Sequence, residues 1–108
     1  MSSKQLTQPV QVGGSDYETV AVSQTAQVLG TAGAKGDFLS RLVIETITAA
    51  TASVTLIDGA TSIVLQTGAA GLAVGPKTIE LGIRAQTGPW KITTGAGATV
   101  VAIGQFSV

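Results

Sequence analysis

The sequence predicts an all-β protein built as an antiparallel β-sandwich. Short runs of β-branched and apolar residues recur along the chain, and glycine- or proline-containing turns separate them. Two of these runs flank an Asp58-Gly59 pair, a strong local signal for a β-hairpin. No segment requires a long helix. At 108 residues, the chain has the length of one domain.

The first part of the chain divides into an arm and the start of the folded domain. Residues 1–16 contain one proline and two glycines among scattered polar residues with no sustained period, which is typical of an arm or loop. We therefore expect residues 17–108 to form the single sandwich domain. Residues 18–29 predict a strand interrupted near Ser23, and the glycine-rich residues 30–37 predict a loop.

The middle of the chain predicts a central strand followed by a hairpin. Residues 38–48 are apolar on both faces, as in a strand buried on two sides. A helix is the competing interpretation, but the β-branched residues between Val43 and Thr51 have poor helix propensity. Residues 53–57 and 62–66 then form the two strands of the hairpin.

The last strands are separated by clear turn signals. Residues 67–75 form a glycine- and alanine-rich connection, and Pro76 stands at the start of the next strand, where a missing N–H is tolerated. In that strand Ile79, Leu81 and Ile83 face one way.

Residues 90–94 and 99–106 complete the fold after turns at Gly88-Pro89 and residues 95–98. The total is about seven or eight short strands, the pattern of a sandwich that is jelly-roll-like.

The composition argues against several classes of function. The chain has no cysteine and no histidine, so it lacks thiolate ligands and the commonest metal ligand and general base. Six basic and six acidic residues cancel, which removes the long-range field that attracts nucleic acid or anionic lipid. We expect no cofactor, no metal and no small-molecule substrate, and therefore no enzymatic activity.

The scarcity of charge predicts association with other subunits. Charged residues make up 11% of the chain, against about 25% in an ordinary soluble domain, and the mean hydropathy is +0.45. A surface this poor in charge favours association unless neighbouring subunits cover it. The alternative is a neutral monomer hydrated through threonine, serine, glutamine and glycine. The N-terminus lacks the apolar stretch of a secretory signal and no run approaches a membrane span, so we expect synthesis in a cytosol.

Two motifs resemble binding sites but have simpler explanations. The loop of residues 30–37 resembles a phosphate cradle, yet Lys35 precedes Gly36 and Asp37 would repel a phosphate, so a plain turn is the better interpretation. Lys35-Gly36-Asp37 also suggests receptor adhesion, although a charged loop tip is the commoner explanation. Trp90 either stacks on a sugar or holds a subunit contact, or else it packs in the core, and the sequence leaves that choice open.

The acidic residues do not form an evident catalytic pair. We expect Asp58 to belong to its turn, Asp37 to its loop, and Glu45 and Glu80 to point outward from strands.

Four segments in the C-terminal two thirds of the chain carry a resemblance: Ala52-Ser-Val-Thr-Leu-Ile-Asp-Gly59, Thr78-Ile-Glu-Leu-Gly-Ile-Arg84, Gly88-Pro-Trp-Lys-Ile-Thr-Thr-Gly-Ala-Gly97 and Val100-Val-Ala-Ile-Gly-Gln-Phe106. With them, roughly residues 37–107 resemble small structural proteins of tailed bacteriophages, including capsid decoration or cement proteins. It implies a jelly-roll-like subunit that forms homotrimers on the exterior of a virion head, with the major capsid protein as its partner, after synthesis in the host cytoplasm.

Two sets of contact residues follow as hypotheses. The strands are expected to supply the core and trimer contacts through Leu42, Ile44, Ile79, Leu81, Ile83, Trp90, Val101 and Ile103. The arm is expected to reach the capsid through Leu6, Pro9, Val10 and Val12. The alternative function is a carbohydrate- or receptor-binding module of a head fibre or tail, with residues 67–75 and 85–89 as its site.

Overall fold

The structure, a computed structural model, describes residues 16–107 and confirms the predicted all-β sandwich. A single turn of 3-10 helix, Ala49–Thr51, accompanies the strands in this range. The strands are β1 (Asp16–Val20), β2 (Gln27–Val28), β3 (Phe38–Thr46), β4 (Val54–Asp58), β5 (Thr61–Gln66), β6 (Gly75–Arg84), β7 (Trp90–Thr94) and β8 (Ala98–Gln105).

The strand order is that of a jelly roll. One sheet, here called sheet A, has the order β1-β8-β3-β6, and sheet B has the order β2-β7-β4-β5. The antiparallel pairs β1·β8, β2·β7, β3·β6 and β4·β5 correspond to one long eight-strand hairpin, rolled so that successive pairs alternate between the two sheets.

The core lies between the sheets and follows from strand alternation. In β8 the residues Ala98, Val100, Ala102 and Gly104 are buried while their neighbours are partly exposed. Gly104 has no alternative in this central strand, because a Cβ there would lie 2.1 Å from the carbonyl oxygen of Phe38. Large side chains of β3, β4 and β7 fill the remaining space, and Trp90 is the largest of those fully buried.

The loops separate into two groups at opposite ends of the sandwich. Because all neighbouring strands are antiparallel, residues 21–26, 47–53, 67–74 and 95–97 lie at one end. Residues 29–37, 59–60 and 85–89 lie at the other end, together with Asp16 and the C-terminus of β8. The two ends differ strongly in charge.

The structure corrects two details of the predicted organisation. The interrupted strand of residues 18–29 is divided between the sheets, because Ser23 and Ala26 adopt left-handed backbone angles (φ 58° and 49°) that carry the chain across. Asp16, placed in the arm by the sequence, pairs with Gly104 and therefore belongs to β1. The rest of the predicted arm, including Leu6, Pro9, Val10 and Val12, lies outside the described residues.

Candidate functional site

One side of the sandwich is bounded by two edge strands, β5 of sheet B and β6 of sheet A, and we call it the open side. Ile63 and Ile83, opposite buried Leu56 and Leu39, are each 39% exposed there, whereas Val64, opposite Thr55, is 61% exposed on the outer face of sheet B. Partly buried residues behind them pack against the core, namely Leu65, Leu72, Ile79 and Leu81. The apolar interior therefore continues to the solvent along this side.

Three of the four edge strands carry features that discourage pairing with another chain. In β1 the edge carries Asp16 and Glu18, and β2 is only two residues long. In β6, Pro76 lacks an N–H, Lys77 shares the inner face with buried Ile44, and Gly82 at φ 66° accompanies a bulge. Charges, proline, bulges and short length are the usual protections of a sheet edge.

The fourth edge, β5, lacks charge and proline. Its six residues, Thr-Ser-Ile-Val-Leu-Gln, include Ile63 and Val64 among the exposed apolar positions. One register shift occurs near the C-terminal end of β5, opposite Val54 and Thr55. The unpaired N–H and C=O groups of such an edge are a template for an additional strand. Among the described strands, β5 is thus the edge best suited to intermolecular contact.

The outer face of sheet A presents a second apolar area. Tyr17, Ile103 and Arg41 are cross-strand neighbours in one row, and Val101 and Val43 are neighbours in the next. Tyr17 is 73% exposed, while the valines and Ile103 are half-buried. Directly opposite residues lie on the same face of a sheet, so these side chains form one continuous patch.

A single ion pair borders this patch on the β6 side. The Arg41 Nε and Glu80 Oε2 atoms are 3.4 Å apart, and both side chains are well exposed. An exposed pair of this kind contributes little to stability. Glu45 of β3 is also exposed, as predicted.

The predicted core and contact residues separate into three groups. Leu42, Ile44 and Trp90 are fully buried in the core. Ile79 and Leu81 are partly buried against it, and Ile83 lies at the exposed rim of the open side. Val101 and Ile103 belong to the outer face of sheet A. The five residues outside the fully buried group therefore form two separate surfaces. Ile79, Leu81 and Ile83 lie on the open side, and Val101 and Ile103 lie on the outer face of sheet A.

Burial of Trp90 resolves the choice that the sequence left open. The indole is 1% exposed, and its Nε1–H donates to the backbone oxygen of Asp37 at 2.9 Å. It cannot stack on a sugar in this position. The two loops proposed for a carbohydrate site, 67–75 and 85–89, lie at opposite ends of the sandwich, so they do not form one site.

Asp37 closes the long loop between β2 and β3. Its Oδ2 accepts hydrogen bonds from the N–H groups of Ser107 (2.9 Å) and Ala34 (3.0 Å), and its Oδ1 accepts one from the Ser107 hydroxyl (2.6 Å). Burial acts to raise the pKa of Asp37, but the hydrogen bonds from Ser107 and Ala34 outweigh it and hold the pKa below its ordinary value. Both oxygens therefore serve the loop.

Asp58 has an equivalent role at the end of β4. Its carboxylate accepts hydrogen bonds from the N–H groups of Gln86 (3.0 Å) and Thr87 (3.1 Å). Burial acts to raise the pKa of Asp58, and hydrogen bonds from the backbone of Gln86, Thr87 and Gly88 and from the Thr87 hydroxyl lower it below the ordinary value. The sequence assigned Asp58 to its own turn, whereas the structure shows that its carboxylate binds the neighbouring loop of residues 85–89.

The glycine-rich loop of residues 30–37 is a turn whose backbone donors are already in use. Gly30 N–H donates to the Glu18 carboxylate at 2.7 Å, and Ala32 and Gly33 N–H donate to the Ser107 oxygen at 3.1 and 3.2 Å. Gly36 N–H donates to the Ala85 oxygen at 2.8 Å. A phosphate cradle needs these N–H groups free, so the plain-turn interpretation is correct.

A shallow surface pocket of about 290 Å³ lies beside this loop, between Asp16, Phe38, Arg84 and Gln105. The Arg84 guanidinium lies 5.5 Å from the centre of the Phe38 ring and donates to the Gly36 oxygen at 3.2 Å. The pocket opens directly beside Asp16, where residues 1–15 join the domain. Asp37 also lines the pocket, but its carboxylate is already hydrogen-bonded to Ala34 and Ser107.

The described residues 16–107 contain no cluster of three or more potential metal-ligating side chains, and no helix in this range is long and apolar enough to cross a membrane. A scan of protein-family models finds no family that matches the chain, and a search of curated proteins finds no match. The contact surfaces therefore have to be interpreted from their own chemistry. Sequence reasoning missed the distinction between the protected edges and β5, although the absence of charge in residues 59–76 was a visible signal.

Proposed function

We propose that the chain is a virion structural protein, a capsid decoration or cement subunit that binds the exterior of a phage head as a homotrimer and stabilises the shell. The observation that carries the proposal is the β5 edge, which has no charge and no proline and only one register shift near its C-terminal end. Ile63 and Val64 are exposed on it, and Ile83 is exposed on the neighbouring edge strand β6. A protein that functions alone gains nothing from such an edge and risks aggregation through it.

The jelly-roll topology supports this class of protein. Eight-stranded jelly rolls recur in viral capsid proteins, and the resemblance of residues 37–107 to small phage structural proteins points in the same direction. Fold alone does not establish function. Surface chemistry adds the second line of support, because the uncharged β5 edge and the patch of Tyr17, Val101 and Ile103 on the outer face of sheet A are suited to contacts between subunits.

A cement subunit stabilises the shell by mass action. It binds the assembled lattice in preference to free capsid subunits, and so shifts the equilibrium toward the assembled state. Repetition over a symmetric shell multiplies modest contacts through high effective concentration. Since the chain has no histidine, no cysteine and no net charge, we expect this binding to depend little on salt, redox state or mild changes in pH.

In the trimer, the open side of one subunit would meet the β1 side of its neighbour, where Tyr17 lies on the outer face of sheet A. A closed three-fold ring needs two different surfaces on each subunit, one meeting the other on the neighbour. The open side, with Val64, and the β1 side, with Tyr17, lie at opposite margins of the sandwich and satisfy this requirement. The predicted arm residues Leu6, Pro9, Val10 and Val12 remain assigned to the capsid contact.

The proposal is tested by co-sedimentation of the full-length protein with expanded, empty heads of the phage that encodes it. We expect saturable binding and an increase in the temperature at which the heads disrupt. A variant lacking residues 1–15 keeps all of β1, so it should still form trimers but lose the heads. Full decoration by this truncated protein would contradict the role of the arm, and failure of the intact protein to bind heads would contradict the proposed function.

A further inference from the structure

The end of the sandwich formed by residues 21–26, 47–53, 67–74 and 95–97, here called the uncharged end, is distinct from the rest of the surface. None of these four loops contains Asp, Glu, Lys or Arg. Their sequences consist mainly of alanine, glycine, threonine and serine. In an ordinary soluble domain about a quarter of the residues are charged, and loops carry a large share of them. The complete absence of charge from four neighbouring loops therefore distinguishes this end from an ordinary protein surface.

Exposed apolar side chains concentrate at the same end. Val22 is 36% exposed, Ile47 53% and Val74 68%, and each belongs to a different loop of the uncharged end. The other large apolar residues exposed in the described range are on strands. At this end, apolar groups thus project from loops, where polar residues are the rule.

Hydrogen bonds between the four loops make the uncharged end a preformed surface. Ser23 N–H donates to the Gly95 oxygen at 3.0 Å, joining the first and last loops. Gly97 N–H donates to the Thr51 oxygen at 3.0 Å, and Ala69 N–H donates to the Ala49 oxygen at 2.9 Å. A surface that is already ordered loses little conformational entropy when it binds.

The opposite end of the sandwich has the usual character of a solvated surface. Its loops contain Lys35 and Asp37, and the strand ends that enter it carry Asp58 and Arg84. The charged residues nearest to the loops of the uncharged end are Glu45 in β3 and Lys77 in β6, both on strands. The loops of the two ends therefore differ in charge and in the exposure of large apolar side chains. The subunit therefore has two chemically different ends.

We infer that the uncharged end is the face that docks on an uncharged protein surface of the head shell. This inference rests on the proposed function and specifies which end of the subunit meets its partner. Nucleic acid requires cations, which these loops lack. A sugar site would use aromatic or carboxylate side chains, which are also missing from them. An apolar, neutral protein surface is the partner that costs no desolvation of ions.

The position of the arm is compatible with this orientation. Residues 1–15 join the domain at Asp16, at the end opposite the uncharged one. Fifteen extended residues span about 50 Å, whereas a nine-residue strand such as β3 spans about 30 Å. The arm is therefore long enough to return past the sandwich and reach the same shell surface.

The experiment places a charge on the uncharged end and compares shell binding. Ala70→Glu and Val74→Glu change exposed residues of one loop, and Ala60→Glu changes an exposed residue in the turn at the opposite end as a matched control. Each variant is first checked for an unchanged fold by Trp90 fluorescence and for an unchanged oligomeric mass. Co-sedimentation with expanded heads then gives the apparent Kd.

We expect both loop variants to bind heads roughly tenfold more weakly or worse, because a carboxylate would be buried without a partner, while Ala60→Glu binds like the wild type. Wild-type affinity in the loop variants, with the intact protein binding normally, would overturn the inference and leave the proposed function standing. Absence of binding by the intact protein would reject both. Sedimentation with neutral phosphatidylcholine vesicles would overturn the shell assignment in favour of a lipid surface.

Discussion

Asp37 offers a direct test of how the loops at the charged end are held. Its carboxylate accepts one hydrogen bond each from the Ala34 N–H, the Ser107 N–H and the Ser107 hydroxyl. Asp37→Ala leaves these donors without a partner at a site only 8% exposed. Asp37→Asn keeps one oxygen to accept the two N–H groups, and its amide can donate to the serine hydroxyl. Comparison of the two variants therefore separates the contribution of the hydrogen bonds to stability from the contribution of the charge.

The magnitudes follow from the contacts. A hydrogen bond to a charged group contributes about 1.5–3 kcal/mol, but three bonds within one loop are coupled and do not add fully. We expect Asp37→Ala to lower the free energy of unfolding by about 3–4 kcal/mol and Asp37→Asn by about 1 kcal/mol. The first value is a large part of the stability of a domain this small.

The charge component has a defined pH dependence. The pKa of Asp37 is lower in the folded protein than in the unfolded chain, so the ionised carboxylate stabilises the fold. This contribution is complete above the unfolded pKa and is lost as the pH falls through the folded pKa. The difference in free energy of unfolding between wild type and Asp37→Asn should therefore be largest near neutral pH and shrink as the pH falls below the unfolded pKa and through the folded pKa.

Urea denaturation followed by Trp90 fluorescence measures these differences at one fixed protein concentration. Trp90 is the single tryptophan, and its indole donates to the backbone of Asp37, so it reports on this region. A loss of less than about 1 kcal/mol in Asp37→Ala would refute the assignment of the three hydrogen bonds. A gap between wild type and Asp37→Asn that stays constant from neutral to acid pH would refute the role of the charge.

Substitutions at Val64, Gly104 and Trp90 test three other features of the molecule. Val64→Lys should abolish self-association while changing the stability of the subunit by about 0.5 kcal/mol or less, and Val64→Thr should retain association, as measured by analytical ultracentrifugation. Persistent oligomers in Val64→Lys would exclude β5 from the interface. Gly104→Ala should destabilise the fold by about 2 kcal/mol or more, because its Cβ would lie 2.1 Å from the carbonyl oxygen of Phe38, whereas Gly71→Ala, with no heavy atom within 4 Å, should be neutral. Equal melting temperatures of these two variants would contradict the predicted crowding. Trp90→Phe should cost about 2–3 kcal/mol through the lost indole hydrogen bond and the smaller ring, as measured by circular dichroism, and unchanged stability would place the indole outside the core.

The strands were predictable from the sequence because local signals specify them. The Asp58-Gly59 turn, with Gly59 at φ 61°, confirms the predicted hairpin, and the predicted strand of residues 90–94 matches β7. Such signals depend on neighbours in sequence. They contain no information on which strands pair, so the division of residues 18–29 between two sheets was not predictable.

The contact surfaces were only partly predictable for the same reason. Val101 and Ile103 alternate with buried alanines, and sequence periodicity alone cannot tell which face of β8 meets the other sheet. The protection of an edge strand becomes visible only when the strand order is known. Trp90 required the position of Asp37, 53 residues away in sequence, to be assigned to the core.

Self-association through the apolar β5 edge is the property of the subunit on which the proposed function depends. Light scattering coupled to size-exclusion chromatography, over a hundredfold range of protein concentration, measures the mass of the species in solution. We expect a stable species near three times the chain mass of 10.7 kDa at every concentration above the dissociation constant. A constant mass of 10.7 kDa up to the highest concentration would contradict it.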